Sequence, residues 1–200
     1  MALSQGVLAF PKQYPFVFNL GVASVKTSIA DLMTQCAVER RKLSEVDWQR
    51  NGAFVCFGFA YLGGFQYWLQ INMYKRWFPH MERFSKLSTA EKLRDGPGLR
   101  DVAKQVLFDV GIHLPFMYYP TFYTVKQMVQ GVSANPLEAV PNAVSQYQKN
   151  FVADNKAMLM VWLPSDILIF SVPLYMRLPL RHVVSFGWTS YVSFVRGGAK

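Results

Sequence analysis

Long uncharged stretches separated by polar connections set the pattern of this chain. From Asn51 to Tyr74 there are 24 residues without a charge, about 36 Å of helix at roughly 1.5 Å per residue, enough to cross a hydrocarbon core of about 30 Å. Three further stretches are interrupted: Tyr14 to Val38 by Lys26 and Asp31, Gln105 to Val125 by Asp109 and His113, and Ala157 to Met176 by Asp166. The pattern predicts an all-α fold, an integral membrane bundle of four transmembrane helices over about 14–38, 51–74, 104–126 and 157–176. A fifth apolar run, Val183 to Val195, has 13 residues, too short to span, and predicts an interfacial or docking helix over about 181–195. Residues 1–200 read as one membrane domain.

The connections carry turn and cap signals. Asp47 is placed to cap the second helix, with Trp48 where interfacial aromatics are favoured. Arg94-Asp-Gly-Pro-Gly98 breaks the chain before the third helix, and Gly131 to Pro141 separates the third from the fourth.

Polar residues inside the spans recur at helical spacing. Ser24, Ser28, Asp31 and Gln35 share one face of the first helix; Gly63, Gln66 and Gln70 share one of the second; Asp101, Gln105, Asp109 and His113 one of the third; Asp166, Pro173 and Arg177 one of the fourth. Lipid offers these groups no partners, so the faces are expected to meet in an interior cluster of Lys26, Asp31, Gln35, Gln66, Asp109, His113 and Asp166. Lys26 lies near mid-span, and its stem of about 6 Å falls short of a half-bilayer of about 15 Å. It is therefore expected to pair with Asp166, Asp109 or Asp31. The cluster serves either as interhelical hydrogen bonds and ion pairs that fix register, with Gly58, Gly63 and Gly64 allowing close approach, or as a polar lining for ions or metabolites.

Composition sharpens this picture. The chain is 52% hydrophobic and 16% aromatic against 16% charged, with a net charge of +9. That charge reflects few carboxylates rather than many Lys and Arg, which argues against nucleic acid as a partner. Mean hydropathy is only +0.12, as expected if the spans carry polar stripes. Thirteen basic residues lie in the N-terminus, the second connection and the C-terminal part, against six in the first and third connections. Under the positive-inside tendency, an even number of spans puts both termini on the matrix or cytosolic side. Cys36 and Cys56 form no CxxC, His80, His113 and His182 are scattered, and P-loop, GxGxxG, GxSxG and HExxH motifs are absent. No disulfide framework, metal site, cofactor or catalysis is expected. The first thirty residues lack the pattern of a signal peptide or cleaved presequence, so an organellar address would be internal.

A set of motifs now stands out: Asp47-Trp48-x-Arg50 opening the second helix, Lys104 with Asp109 and Pro115 in the third, Pro173-x-x-x-Arg177, and Trp188-Thr-Ser-Tyr191-Val-Ser193. From about Tyr14 to Arg196 the chain resembles the Mpv-type family of 22-kDa peroxisomal membrane proteins. The resemblance implies a small four-span, non-enzymatic resident of the mitochondrial inner membrane or of peroxisomes, with a role proposed as a pore or metabolite pathway. Several family positions differ. The Gly-Asp of the first helix reads Ala30-Asp31, a histidine is lost in Gly63-Gly64-Phe-Gln-Tyr67-Trp-Leu69-Gln70, Asp-Gln reads Asp109-Val110, the fourth-helix stretch reads Trp162-Leu-Pro-Ser-Asp166, and the terminal Asn is Thr189. These losses weaken a carried-over pore more than a carried-over fold. The favoured expectation is an accessory subunit packed among other membrane proteins in lipid, within an assembly such as a respiratory complex. A stand-alone pore for small metabolites or ions is the alternative.

Overall fold

A computed structural model of the chain describes residues 10–131 and 135–198, and those residues are helical throughout apart from turns. Lys200, counted among the C-terminal basic residues, lies outside them. We number the helices α1 (Pro15–Val38), α2 (48–77), α3 (Met81–Lys86), α4 (Thr89–Lys92), α5 (96–130), α6 (Pro136–Ser171) and α7 (Leu174–Arg196). Wider π-type turns occur at Thr34–Val38, Gly58–Phe65, Leu69–Tyr74 and Asp109–Tyr118, the last around Pro115, which has no N–H to give.

The helix starts follow local chemistry. Pro15 opens α1 and Pro97 lies in the first turn of α5, where a missing N–H costs nothing. The Asp47 carboxylate accepts from Arg50 N at 2.9 Å, as the sequence predicts. Asn135 accepts from Leu137 N at 3.1 Å at the head of α6. Ser88 and Glu91 close a capping box on α4, and the hydrogen bonds that Ser88 gives, first from its side chain and then from its backbone, hold the exposed Glu91 carboxyl below its ordinary range. Pro173 ends the fourth helix before it can reach Met176, so Asp166 and Arg177 sit on different helices. Arg177 instead donates to the carbonyls of Val172 and Phe170, at 2.9 and 3.1 Å, and caps the end of α6.

Five long helices form the bundle, and side-chain contacts give their directions. Ser28 meets Asn51 and Asn19 meets the Gly63 carbonyl, so α1 and α2 are antiparallel. Phe54 packs on Phe122 and Tyr61 on His113, which makes α2 and α5 antiparallel. Tyr123 reaches Asp154 while Asp109 and Asp166 share Arg181, and Arg181 and Arg196 reach Asp166 and Asp154, so α6 runs against both α5 and α7. Along α1 and α7 the pairs are Asn19 with His182, Lys26 with Ser185 and Asp31 with Ser193, which rise together. These two helices are parallel.

The C-terminal helix thus differs from expectation. It has 23 residues, about 34 Å at roughly 1.5 Å per residue, and it lies in the bundle rather than across its end. The short apolar run is only its second half, because Arg177, Arg181 and His182, which made the first half look polar, turn inward or half inward. The expectation that both termini share a face rests on an even number of spans. Five alternating helices leave Pro15 at one end of the bundle and Arg196 at the other.

Aromatic side chains fill the core. Phe57 stacks on Tyr61 at 5.2 Å and meets Tyr118 edge-on at 5.1 Å, while Trp162 and Tyr119 each meet Trp188 edge-on. A second cluster, Tyr74, Phe78, Met81, Phe84, Val102 and Phe170 among it, ties α3 to one end of the bundle. Gly58 and Gly63 let α1 and α2 touch: a Cβ on Gly63 would sit 2.9 Å from Leu20 Cα, and one on Gly58 would strike the Thr27 side chain and lie 2.9 Å from the Ala23 carbonyl oxygen. At Gly64 the approach is an ordinary contact. Among the described residues, one helix, Pro15–Val38, is both long and apolar enough by itself to cross a membrane.

Candidate functional site

The interior polar residues do not form one cluster. They divide into three networks and a cleft, each built where helices from distant parts of the chain meet.

The first network surrounds Asp31, which is fully buried. Its Oδ1 accepts from Arg50 Nε at 2.8 Å and Ser193 Oγ at 2.7 Å; its Oδ2 accepts from Gln35 Nε2 at 2.8 Å and Asn51 Nδ2 at 3.1 Å. Arg50, 1% exposed, also donates to Glu39 at 2.8 Å and to both the carbonyl and the hydroxyl of Ser193, at 2.9 and 2.6 Å. Gln35 accepts from Asp47 N at 2.7 Å and returns a bond to the Asp47 carbonyl. The motif residues Asp47 and Arg50 are thereby brought to Ser193, 143 positions away from Arg50. Trp48 points out of the bundle.

The second network spans α2, α5, α6 and α7. Asp109 Oδ1 accepts from Tyr74 OH at 2.7 Å and lies 2.7 Å from His113 Nδ1, whose Nε2 is 2.9 Å from Tyr61 OH. Both ring nitrogens of His113 are therefore engaged. Arg181 joins the two carboxylates, donating from Nη2 to Asp109 at 2.8 Å and from Nη1 to Asp166 at 3.2 Å, with its guanidinium 4.9 Å from the Trp162 ring centre.

The third network centres on Asp154, which accepts from Tyr123 OH at 2.7 Å and Arg196 Nε at 2.8 Å, while its carbonyl accepts from Tyr119 OH. Tyr147 OH donates to the carbonyl of Pro115 at 2.8 Å. Lys126 and Gln130 donate to the carbonyls of residues 196–198 and fasten the end of α7. Trp188 Nε1 donates to Tyr118 OH at 3.1 Å, and Tyr191 stacks on Trp188.

The expected pairing of Lys26 with a carboxylate is not what the structure holds. Lys26 Nζ donates to Ser185 Oγ instead, at the edge of a cleft shared with Gln66, Gln70, Asn19, Arg181 and His182. Helix rotation decides this: the Asp31 face of α1 turns to Arg50, and Asp109 and Asp166 both face Arg181. Sequence reasoning counted Arg181 and Arg196 only as topological charges and passed over Asp154 and Lys126. A signal for the first was present. Arg177, Arg181, Ser185, Thr189 and Ser193 recur every four residues, and all five are buried.

Comparison with known proteins agrees with the resemblance drawn from the motifs. The chain is 24% identical over 183 residues to Protein sym1 of Aspergillus oryzae, an alignment covering 89% of this chain and 91% of that protein. It is a distant homologue of that protein. The alignment covers most of the chain, as expected of a divergent Mpv-type relative. No family model matches, and no solved structure matches.

Proposed function

We propose that this protein is a non-catalytic, membrane-embedded bundle of an organelle, the mitochondrial inner membrane being the favoured location, and that it serves as an accessory, structural subunit of a larger membrane assembly such as a respiratory complex. One observation carries the reading: the sidedness of charge. Asp31, Asp109, Asp166, Arg177 and Arg181 are buried, whereas outward positions of the same bundle hold Val25 and Ile29 on α1, Phe59 on α2, Ile112 and Phe116 on α5, Ile167 and Leu168 on α6, and Val183 and Phe194 on α7. A water-facing bundle has the reverse arrangement. The exposed charges of α2, α5 and α6, Lys75, Arg76, Arg100, Lys104, Lys149 and Lys156 among them, lie outside the stretches 51–74, 105–125 and 157–176, and the carboxylates within those stretches, Asp109 and Asp166, turn inward.

The four spans expected from sequence correspond to α1, α2, α5 and α6. We add α7 as a fifth crossing, because it runs parallel to α1 at the same depth and its outward positions from Tyr175 to Phe194 are uncharged. Lys12 and the eight basic residues of 75–104 then stay together at the N-terminal end of the bundle, while Arg196 joins the six of the first and third connections at the other and Arg177 and Arg181 are buried; the excess narrows to nine against seven, which still favours the N-terminal end as the matrix or cytosolic side.

The structural role is supported by how the interior groups are used. Asp31, Asp109, Asp154, Arg50 and Arg181 each bind partners on other helices, which fixes register, and the broad outer surface of Phe, Trp and Tyr suits lipid and partner helices. Extraction of the native membrane in mild detergent, followed by sizing and identification of co-migrating proteins, tests it. Migration with a large complex is the expected result, and a freely dispersing monomer overturns it. The pore reading is favoured by a single feature, the polar cleft beside Lys26, whose volume of about 10 Å³ has room for one water-sized group. Purified protein in liposomes would have to leak small solutes, with selectivity altered by Asp166→Asn, for that reading to replace the first.

A further inference from the structure

The cleft between α1, α2 and α7 is unlike the three networks, because one of its two cationic groups, Lys26, has no carboxylate partner. Lys26 Nζ has the Ser185 hydroxyl, and among the described residues no carboxylate oxygen lies within ion-pair range of it. Both Nη atoms of Arg181 are taken by Asp109 and Asp166, but its Nε has no hydrogen-bond partner although the residue is only 4% exposed. The amide side chains of Gln66 and Gln70 line the same space.

A buried donor left unpaired is costly, and a buried ammonium without a counter-charge is more so. The cleft volume of about 10 Å³ corresponds to one water-sized sphere, and the Lys26 stem is its movable wall. We propose that this cleft seats a single small inorganic anion, of chloride size, held between Lys26 Nζ and Arg181 Nε with the Gln66 and Gln70 amides as neutral donors. The anion acts as a counter-ion that locks α7 against α1 and α2. It is a resident of the fold and requires no path through it, so the proposal does not depend on which partners the chain has.

The experiment uses the full chain in detergent, with chloride exchanged for gluconate at constant ionic strength. The expected result is a saturable rise in Tm with chloride, about 2–5 °C at tenfold excess over the dissociation constant, reproduced by bromide. Lys26→Gln should abolish that dependence. As a readout free of any variant, magnetic-resonance line broadening of chloride by the wild-type protein should be relieved by added bromide. Equal Tm in chloride and gluconate, meaning that water alone fills the cleft, overturns the proposal, and so does a chloride response that Lys26→Gln leaves intact. If the variant fails to fold, the wild-type broadening and its displacement decide.

Discussion

Replacing Arg50 by methionine removes the one side chain that binds Asp31, Glu39 and Ser193 together, while keeping most of its apolar stem. Breaking a buried ion pair by deleting one partner costs about 3–5 kcal/mol, because the remaining charge is left without compensation. Here Asp31 retains donors from Gln35, Asn51 and Ser193, which places the expected loss near the lower end, about 3 kcal/mol. For a chain of this size that is a fall in Tm of roughly 6–12 °C. Asp31→Asn in the Arg50→Met background neutralises the stranded carboxylate and should return about 1–2 kcal/mol of the loss. Arg50→Lys should fall between wild type and Arg50→Met, since one ammonium cannot reproduce the forked contacts to a carboxylate on one side and the Ser193 carbonyl and hydroxyl on the other. The assay is thermal unfolding of each purified variant in detergent, followed by far-ultraviolet circular dichroism. An Arg50→Met protein within about 2 °C of wild type, or a double variant less stable than the sum of the singles, would refute the claim that this network holds the three segments together.

Gly58→Leu should destabilise by about 1–3 kcal/mol, because the new side chain meets Thr27 and the Ala23 carbonyl across the closest approach of α1 and α2. Gly21→Leu, where a Cβ has open space, is the control and should unfold near the wild-type temperature. Trp188→Phe leaves Tyr118 OH without its donor and should cost about 1–2 kcal/mol, with little further loss when Tyr118→Phe is added; additive losses would show that the two do not act as a pair. Tags placed at the two termini should be protected from protease on opposite faces of sealed vesicles, and digestion of both from one face would sink the five-crossing arrangement.

Much of the local structure was legible in the sequence. Asp47 announced the start of α2 because an N-cap is a property of a few adjacent residues, and Gly58 and Gly63 announced close approach because only a missing side chain permits it. The polar stripes on α1, α2 and α5 also turned inward as their spacing required. The start of α6 at Pro136 was not legible, since a search for uncharged runs finds only the part that avoids charge, and Lys149, Asp154 and Lys156 interrupt the first half of that helix. The C-terminal helix was cut short for the same reason.

Sequence alone determined the all-α class, the places where charge sits within apolar stretches, and the family resemblance that the distant match to Protein sym1 agrees with. It could not determine which charge meets which. Spacing fixes the face of a helix that a residue occupies, but the rotation of that helix against its neighbours is set by packing of the whole bundle. Lys26 was close to three carboxylates by depth and is bonded to Ser185, whereas Arg181, overlooked as part of a peripheral helix, holds two of those carboxylates. Only the tertiary structure decided these partners, and with them the parallel course of α1 and α7, because they depend on contacts between separate helices, those joining α1 to α7 lying more than 150 residues apart along the chain.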